Sequence, residues 1–159
     1  MKLNEISPQK GTYAALRVSK PARDLLFKHC LDNKIPCRKA QFEERLHVTL
    51  IYSRKHCPKM HADPGVIYNC EFKDYEIFTG GKGEKVLVAL LSAPAVVARH
   101  LQLMAQHGAT YDFPVYNPHI TLCYNWTGSD EDFAALEPID FPISLGSEYV
   151  EDLDLDWSA

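Results

Sequence analysis

His47-Val48-Thr49-Leu50 and His119-Ile120-Thr121-Leu122 are one four-residue phrase, written twice with a conservative change. A single His-x-Thr is a weak signal, but two become a strong one when the surrounding sequence repeats as well. Before the first copy, Thr12 to Val18 reads as a strand, and Ser19 as the N-cap of a helix with Pro21 in its first turn. That helix runs to about Asn33, and a loop through Pro36 leads to a strand at Leu46 to Tyr52. Before the second copy, Lys85 to Leu91 is the strand, with Ser92 in the place of Ser19 and Pro94 in the place of Pro21. The helix Ala95 to His107 ends at Gly108, a natural C′ residue, and a loop with Pro114 and Pro118 leads to a strand at His119 to Tyr124. Ser19 precedes His47 by 28 residues and Ser92 precedes His119 by 27. The repeated units span about 11–53 and 85–125. They predict two strand–helix–strand lobes related by a pseudo-two-fold.

Between the units, Val66 to Thr79 predicts one or two strands, ending at Gly80-Gly81. After them, Phe141 to Leu145 and Glu148 to Val150 read as a bulged strand broken by Gly146. The chain closes on Glu151-Asp152-Leu153-Asp154-Leu155-Asp156-Trp157, and a lid at 148–159 is the expectation for this acidic, aromatic-tipped end.

The 159 residues suit one domain, 1–159, and a composition 46% hydrophobic and 24% charged excludes wholesale disorder. The five cysteines are Cys30, Cys37, Cys57, Cys70 and Cys123. Their number is odd and none form C-x-x-C, which argues against a zinc ribbon or a disulfide framework and for reduced thiols in a cytoplasmic protein. The N-terminus has no apolar signal region, and no apolar run reaches the roughly 18 residues of a membrane span.

A net charge of −4 argues at first against a nucleic-acid binder. Its distribution says more. Residues 1–129 hold all 17 basic residues against 11 acidic ones, a net +6, and residues 130–159 hold the other 10 acids and no base, a net −10. A positive body with an acidic end favours a small polyanion over a long nucleic acid. No membrane and no obligate protein partner is indicated.

Residues i and i+2 of a strand share a face, so His47 and Thr49 point one way while Val48 and Leu50 enter the core. The same holds for His119 and Thr121. Two lobes facing each other would bring two imidazoles and two hydroxyls into one cleft. Histidine titrates near neutrality, so one imidazole can remove a proton from a nucleophile while the other protonates a leaving oxygen. Threonine hydroxyls can donate to the non-bridging oxygens of a phosphodiester. No metal or cofactor is required, and no ligand cluster for a metal is evident. Which histidine is the base is open at this point. His29, His56, His61, His100 and His107 have no such pairing.

The paired His-x-Thr-Leu phrases in a repeated frame resemble the 2H phosphoesterase superfamily, over about 11–150. The resemblance implies an α+β fold of two pseudo-symmetric lobes, with antiparallel sheets lining a central cleft. It also implies metal-independent cleavage of phosphoester bonds beside a ribose 2′-hydroxyl. Asn4-Glu5-Ile6-Ser7-Pro8, Gly11-Thr12-Tyr13 and Tyr52-Ser53-Arg54-Lys55 narrow it, being similar to the phage anti-CBASS protein 1 family. That family opens the cyclic di- and trinucleotide messengers of a bacterial anti-phage system, such as 3′,3′-cyclic GMP-AMP and cyclic tri-AMP, to linear products.

The resemblance implies His47, Thr49, His119 and Thr121 as catalytic and Tyr13, Glu148 and Trp157 as substrate-binding. Tyr116 and Tyr124 flank the second motif and are further candidates for stacking on a base. Two other readings fit parts of this pattern: an RNA 2′,3′-cyclic phosphodiesterase or 2′–5′ RNA ligase-like enzyme, and a non-catalytic protein that sequesters cyclic nucleotides.

Overall fold

The computed structural model describes residues 10–155. The chain folds as a mixed α/β structure with a six-stranded antiparallel sheet in the order β2-β1-β6-β3-β4-β5. The strands are β1 (Lys10–Val18), β2 (His47–Ser53), β3 (Tyr68–Thr79), β4 (Lys85–Ser92), β5 (His119–Cys123) and β6 (Ile143–Asp154). The helices are α1 (Lys20–Asp32), α2 (Lys39–Arg45), α3 (Pro94–His107) and α4 (Asp130–Ala134). Among the described residues, no helix is long and apolar enough to cross a membrane.

Both repeated units take the predicted form. β1 and β2 flank α1 and α2 and pair antiparallel, and β4 and β5 flank α3 and do the same. The leucine of each motif marks a β-bulge. Pairing passes from Ile51↔Ala14 to Thr49↔Ala15, skipping Leu50, and from Cys123↔Leu87 to Thr121↔Val88, skipping Leu122. A bulge inserts one residue and re-aims those beside it. Two successive residues therefore turn inward in each strand, Leu50 with Ile51 and Leu122 with Cys123, while the His and Thr remain half-buried on the opposite face.

The core lies behind that face. Leu16, Leu26, Leu50, Leu87, Ile120 and Leu145 are fully buried there, each contributing about 1.5–3 kcal/mol of hydrophobic stabilisation.

Ser19 caps α1, its hydroxyl accepting from the Ala22 amide at 3.4 Å. The second unit departs from this. Ser92 ends β4 and Ala93 is the N-cap of α3, without a side-chain cap. Pro94 occupies the first helical position, where its fixed φ starts the helix, so the cap falls one residue later than at α1. Gly108 ends α3 in the left-handed conformation, with φ of 59°, as a C-terminal glycine should.

The stretch after Pro36, expected as a loop, contains α2, whose Phe42 is buried edge-on against Phe27 at 5.6 Å. Ser129 and Asp132 form a reciprocal capping box that opens α4 inside the acidic segment. Val66 to Thr79 holds one strand, which changes neighbour along its length: Tyr68 to Cys70 pair with β6, and Glu71 to Thr79 with β4.

β6 corrects the reading of the tail. It is bulged at Gly146-Ser147, where pairing steps from Val18↔Leu145 to Leu16↔Glu148, but it continues to Asp154 and pairs with β1 as far as Lys10↔Asp154. Residues 148–154 are thus part of the sheet rather than of a lid. Asp152 has local partners there, Lys10 at 3.7 Å and His56 at 3.4 Å. Trp157 lies outside the described residues.

Glu148 is buried in this strand and receives Arg99 of α3 through two hydrogen bonds of 2.8 Å each, with a third from the Asp63 amide at 2.9 Å. Removing one partner of a buried ion pair strands the other charge, at a cost of about 3–5 kcal/mol. Arg99→Ala is therefore expected to lower unfolding stability by that amount in denaturant titration, and a loss below about 1 kcal/mol would contradict the pairing.

Candidate active site

β2 and β5 are the outermost strands of the sheet, yet they come within 8 Å of each other, Cα to Cα. The sheet curls until its edges face, and each edge carries a His-x-Thr motif. Exposed strand edges otherwise present unpaired backbone groups. Here side chains from the second unit take two carbonyls of β2. The Tyr116 hydroxyl donates to Thr49 O and His100 Nδ1 donates to Leu50 O, both at 2.6 Å. The two rings stack, 4.0 Å apart and 7° from parallel. Arg54 adds a bidentate pair with Asp112, at 3.0 and 2.9 Å, joining the end of β2 to the loop before β5.

On the face opposite the core, Tyr13 stands at the centre of β1. Its hydroxyl is 2.9 Å from Thr49 Oγ1, and its ring meets His47 edge-on at 6.2 Å. Burial pushes the Tyr13 pKa well above the ordinary phenol value, so this hydroxyl is a neutral group that can donate to Thr49. Tyr52 and Tyr149 surround the same ring at 6.2 and 6.3 Å.

On the other edge, His119 Nδ1 donates to the Asn117 carbonyl at 2.9 Å. That bond assigns the neutral ring's proton to Nδ1 and leaves Nε2 as the site that exchanges protons. Phe78 packs edge-on at 5.1 Å. Burial lowers the His119 pKa from the ordinary 6.5, and the nearby His47 lowers it further, against the effect of the Asn117 bond. The influence of His47 on His119 is itself a sign that the two imidazoles share one locality. Thr121 stands on the same face of β5, two residues on.

Four of the expected site residues, His47, Thr49, His119 and Thr121, thus lie on facing edges, with Tyr13 beside them. Two others are corrected. Glu148 is closed off by Arg99 and Asp63 and cannot reach a ligand on this face. Glu151 stands in register with Tyr13 and raises its pKa, which marks it as the carboxylate on the Tyr13 face. Simple alternation from the buried Ile143 and Leu145 would turn Glu151 inward; the bulge at Gly146-Ser147, opposite Arg17, shifts the phase by one residue and turns Glu148 inward instead. Tyr116 is spent on packing, its hydroxyl on Thr49 O and its ring on His100, rather than free to stack on a base. Tyr124 is exposed just beyond β5, near enough to Tyr13 and Tyr149 to raise both their pKa values.

Sequence reading missed Tyr149 and Arg17. The Arg17 guanidinium lies 4.3 Å above the Tyr149 ring. A recess of about 540 Å³ between the end of α1 and Trp126 to Glu137 contains none of the candidate residues. Among the described residues, no three or more His, Cys, Asp or Glu converge as metal ligands.

The family model for the anti-CBASS protein Acb1 matches residues 10–159. The chain belongs to the Acb1 family. An anti-CBASS protein Acb1 of Vibrio phage KVP40 is 31% identical over 159 residues, covering 100% of this chain and 98% of its own. One from Acinetobacter phage Ac42 is 33% identical, covering 99% of each chain. One from Enterobacteria phage T4 is 30% identical over 93% of this chain and 91% of its own. The first two of these alignments extend over essentially the whole chain rather than over one unit of the repeat.

His100 gives the facing edges a pH dependence. Burial lowers its pKa below 6.5, so as acid is added the unfolded chain takes up this proton before the folded one. The stability it contributes is complete above about 6.5 and is lost as pH falls through the folded value. Denaturant midpoints should fall between about pH 7 and pH 5, and His100→Gln should flatten part of that slope. An unchanged slope in the variant would contradict a buried neutral His100.

Proposed function

We propose that this chain is a metal-independent phosphodiesterase with the bilobal 2H phosphoesterase fold. In this reading it opens 3′–5′ bonds of cyclic di- and trinucleotide messengers and so disarms CBASS signalling. The observation that carries the proposal is the pair of His-x-Thr strands on facing edges of one curled sheet. Its membership of the Acb1 family, whose phage relatives are named anti-CBASS proteins, supports the anti-CBASS role.

In the proposed mechanism, His119 is the general base. Its Nδ1 proton is held on Asn117, and its low pKa keeps Nε2 free to accept from a ribose 2′-hydroxyl. The 2′-oxygen attacks the adjacent phosphorus, and the P–O5′ bond breaks. His47 protonates the departing 5′-oxygen, leaving a 2′,3′-cyclic phosphate and a 5′-hydroxyl. Tyr13, held neutral, donates to Thr49 and turns the Thr49 proton towards a non-bridging oxygen. Thr121 supplies the matching donor from β5. Such donors act where charge accumulates in the transition state. Glu151, in place of Glu148, and Tyr124 and Trp157 complete the substrate-binding set.

The test compares wild type with His47→Ala and His119→Ala on 3′,3′-cyclic GMP-AMP and on RNA ending in a 2′,3′-cyclic phosphate. Each substitution should cost about 10²- to 10⁴-fold in turnover. The wild type should prefer the cyclic dinucleotide and keep its rate in EDTA. Preference for the RNA end would replace this reading with an RNA phosphodiesterase, and loss of activity in EDTA would contradict the metal-independent scheme. With His119 as base, the acid limb of kcat/KM should have its midpoint below pH 6.5.

A further inference from the structure

Of the residues on the Tyr13 face of β1, β2 and β6, Arg17 alone is a Lys or Arg. It is exposed, whereas Leu16 and Val18 on either side are buried. Its backbone pairs with His47 of β2, but its side chain leans the other way, over β1, to lie 4.3 Å above Tyr149 of β6. Arg54 and Arg99 are spent on carboxylates. Among the described residues, no carboxylate pairs with Arg17, and the face around it carries Glu151 further along rather than opposite it.

A guanidinium stacked on an aromatic ring has its plane fixed while its N–H groups, which lie in that plane, remain available. That is a two-pronged anion receptor with much of its ordering cost already met. Its position is equally informative. Neighbouring strands are about 4.8 Å apart, so a group above β6 is roughly 10 Å from the line of β2. The phosphate under attack has to lie between His47 and His119, at the facing edges of β2 and β5. The Arg17 guanidinium, leaning over Tyr149 of β6, is carried away from that point although its backbone pairs with His47.

We infer that Arg17 binds the phosphate of a cyclic dinucleotide that is not being cleaved. This rests on the substrate class proposed above and adds to it a reason for preferring a ring. A ring of two nucleotides carries a second phosphate across from the first, whereas a single phosphodiester bond offers only the reacting one. Arg17 reads that second charge, and Tyr149 holds it in place to do so.

The experiment uses the full chain and two probes that lack the attacking hydroxyl, so that binding is measured without turnover. The first is the 2′-deoxy ring cyclic di-dAMP, with two phosphates. The second is linear dApdA, with one. Binding of each to wild type, Arg17→Ala and Arg17→Lys is measured by titration calorimetry, with the thermal midpoint of each variant recorded. Arg17→Ala should weaken the ring by about 10- to 100-fold, the range for losing charge-assisted hydrogen bonds. The ratio of ring to linear affinity should fall by a similar factor, and Arg17→Lys should restore part of it. An equal loss for both probes would overturn the inference, because Arg17 would then serve the reacting phosphate or the packing of Tyr149. So would unchanged ring binding. If wild type binds the deoxy ring but fails to open its ribose counterpart, the hydrolase reading falls and the Arg17 assignment stands. If it opens the ring while Arg17→Ala binds like wild type, the Arg17 assignment falls alone. Failure of wild type to bind the ring would overturn both.

Discussion

The hydrogen bond from His100 to the Leu50 carbonyl is the contact on which the rest of the site depends. Leu50 is the bulge residue of β2, the point at which that strand turns two successive side chains into the core and leaves His47 and Thr49 on the outer face. β2 is also an edge strand, with nothing of the sheet beyond it. By donating to the bulge itself, a buried histidine of α3 fixes one motif-bearing edge against the unit that carries the other. Tyr116 repeats the contact one residue earlier, at Thr49, and its stacking on His100 makes the two bonds a single rigid element. A buried polar group left without a partner costs more than a satisfied one returns, so this junction resists opening.

Around that junction the charged residues divide into two kinds. Glu148 and Arg99 form a buried pair that ties β6 to α3, with the Asp63 amide completing the carboxylate's partners. Arg54 and Asp112 do the same work at the surface. Arg17 and Glu151 belong to the other kind, on the outer face beside the neutral Tyr13, where a ligand would meet them. The acidic end of the chain, net −10 over residues 130–159, is therefore less a repelling cloud than its composition suggested. Glu148 faces an arginine, Asp152 faces Lys10 and His56, and Asp132 caps a helix.

Much of this was legible in the chain because the repeat was. Two copies of His-x-Thr-Leu at matching distances from two strand–helix starts pointed to the strands β1, β2, β4 and β5, the helices α1 and α3, and the shared face of histidine and threonine, while the antiparallel pairing was implied only by the family resemblance. What escaped the reading did so for local reasons. α2 is short and follows Pro36, so its one buried anchor, Phe42, carried little periodic signal. Gly146 does mark an irregularity, a bulge at Gly146-Ser147, but β6 resumes beyond it because β1 pairs with Leu145 before the bulge and with Glu148 to Asp154 after it. Glu148 was implied by the family resemblance alone, and the bulge at Gly146-Ser147, which turns Glu148 inward and leaves Glu151 beside Tyr13, has no signal in the alternation of the sequence. The stacking of Arg17 on Tyr149 joins residues 132 apart in sequence, and no local pattern announces such a pair. Tyr116 was an aromatic beside the motif, and only the packing of α3 shows that its hydroxyl is needed at Thr49.

The central claim is that the two facing imidazoles cut a phosphodiester through the neighbouring 2′-oxygen. The most direct measurement is mass identification of the ends produced when the wild-type protein digests 3′,3′-cyclic GMP-AMP. The account predicts linear products with a 5′-hydroxyl and a 2′,3′-cyclic phosphate, or the 3′-phosphate that follows its hydrolysis. Products with a 5′-phosphate and a free 3′-hydroxyl would contradict it, since water rather than the ribose would then have made the attack.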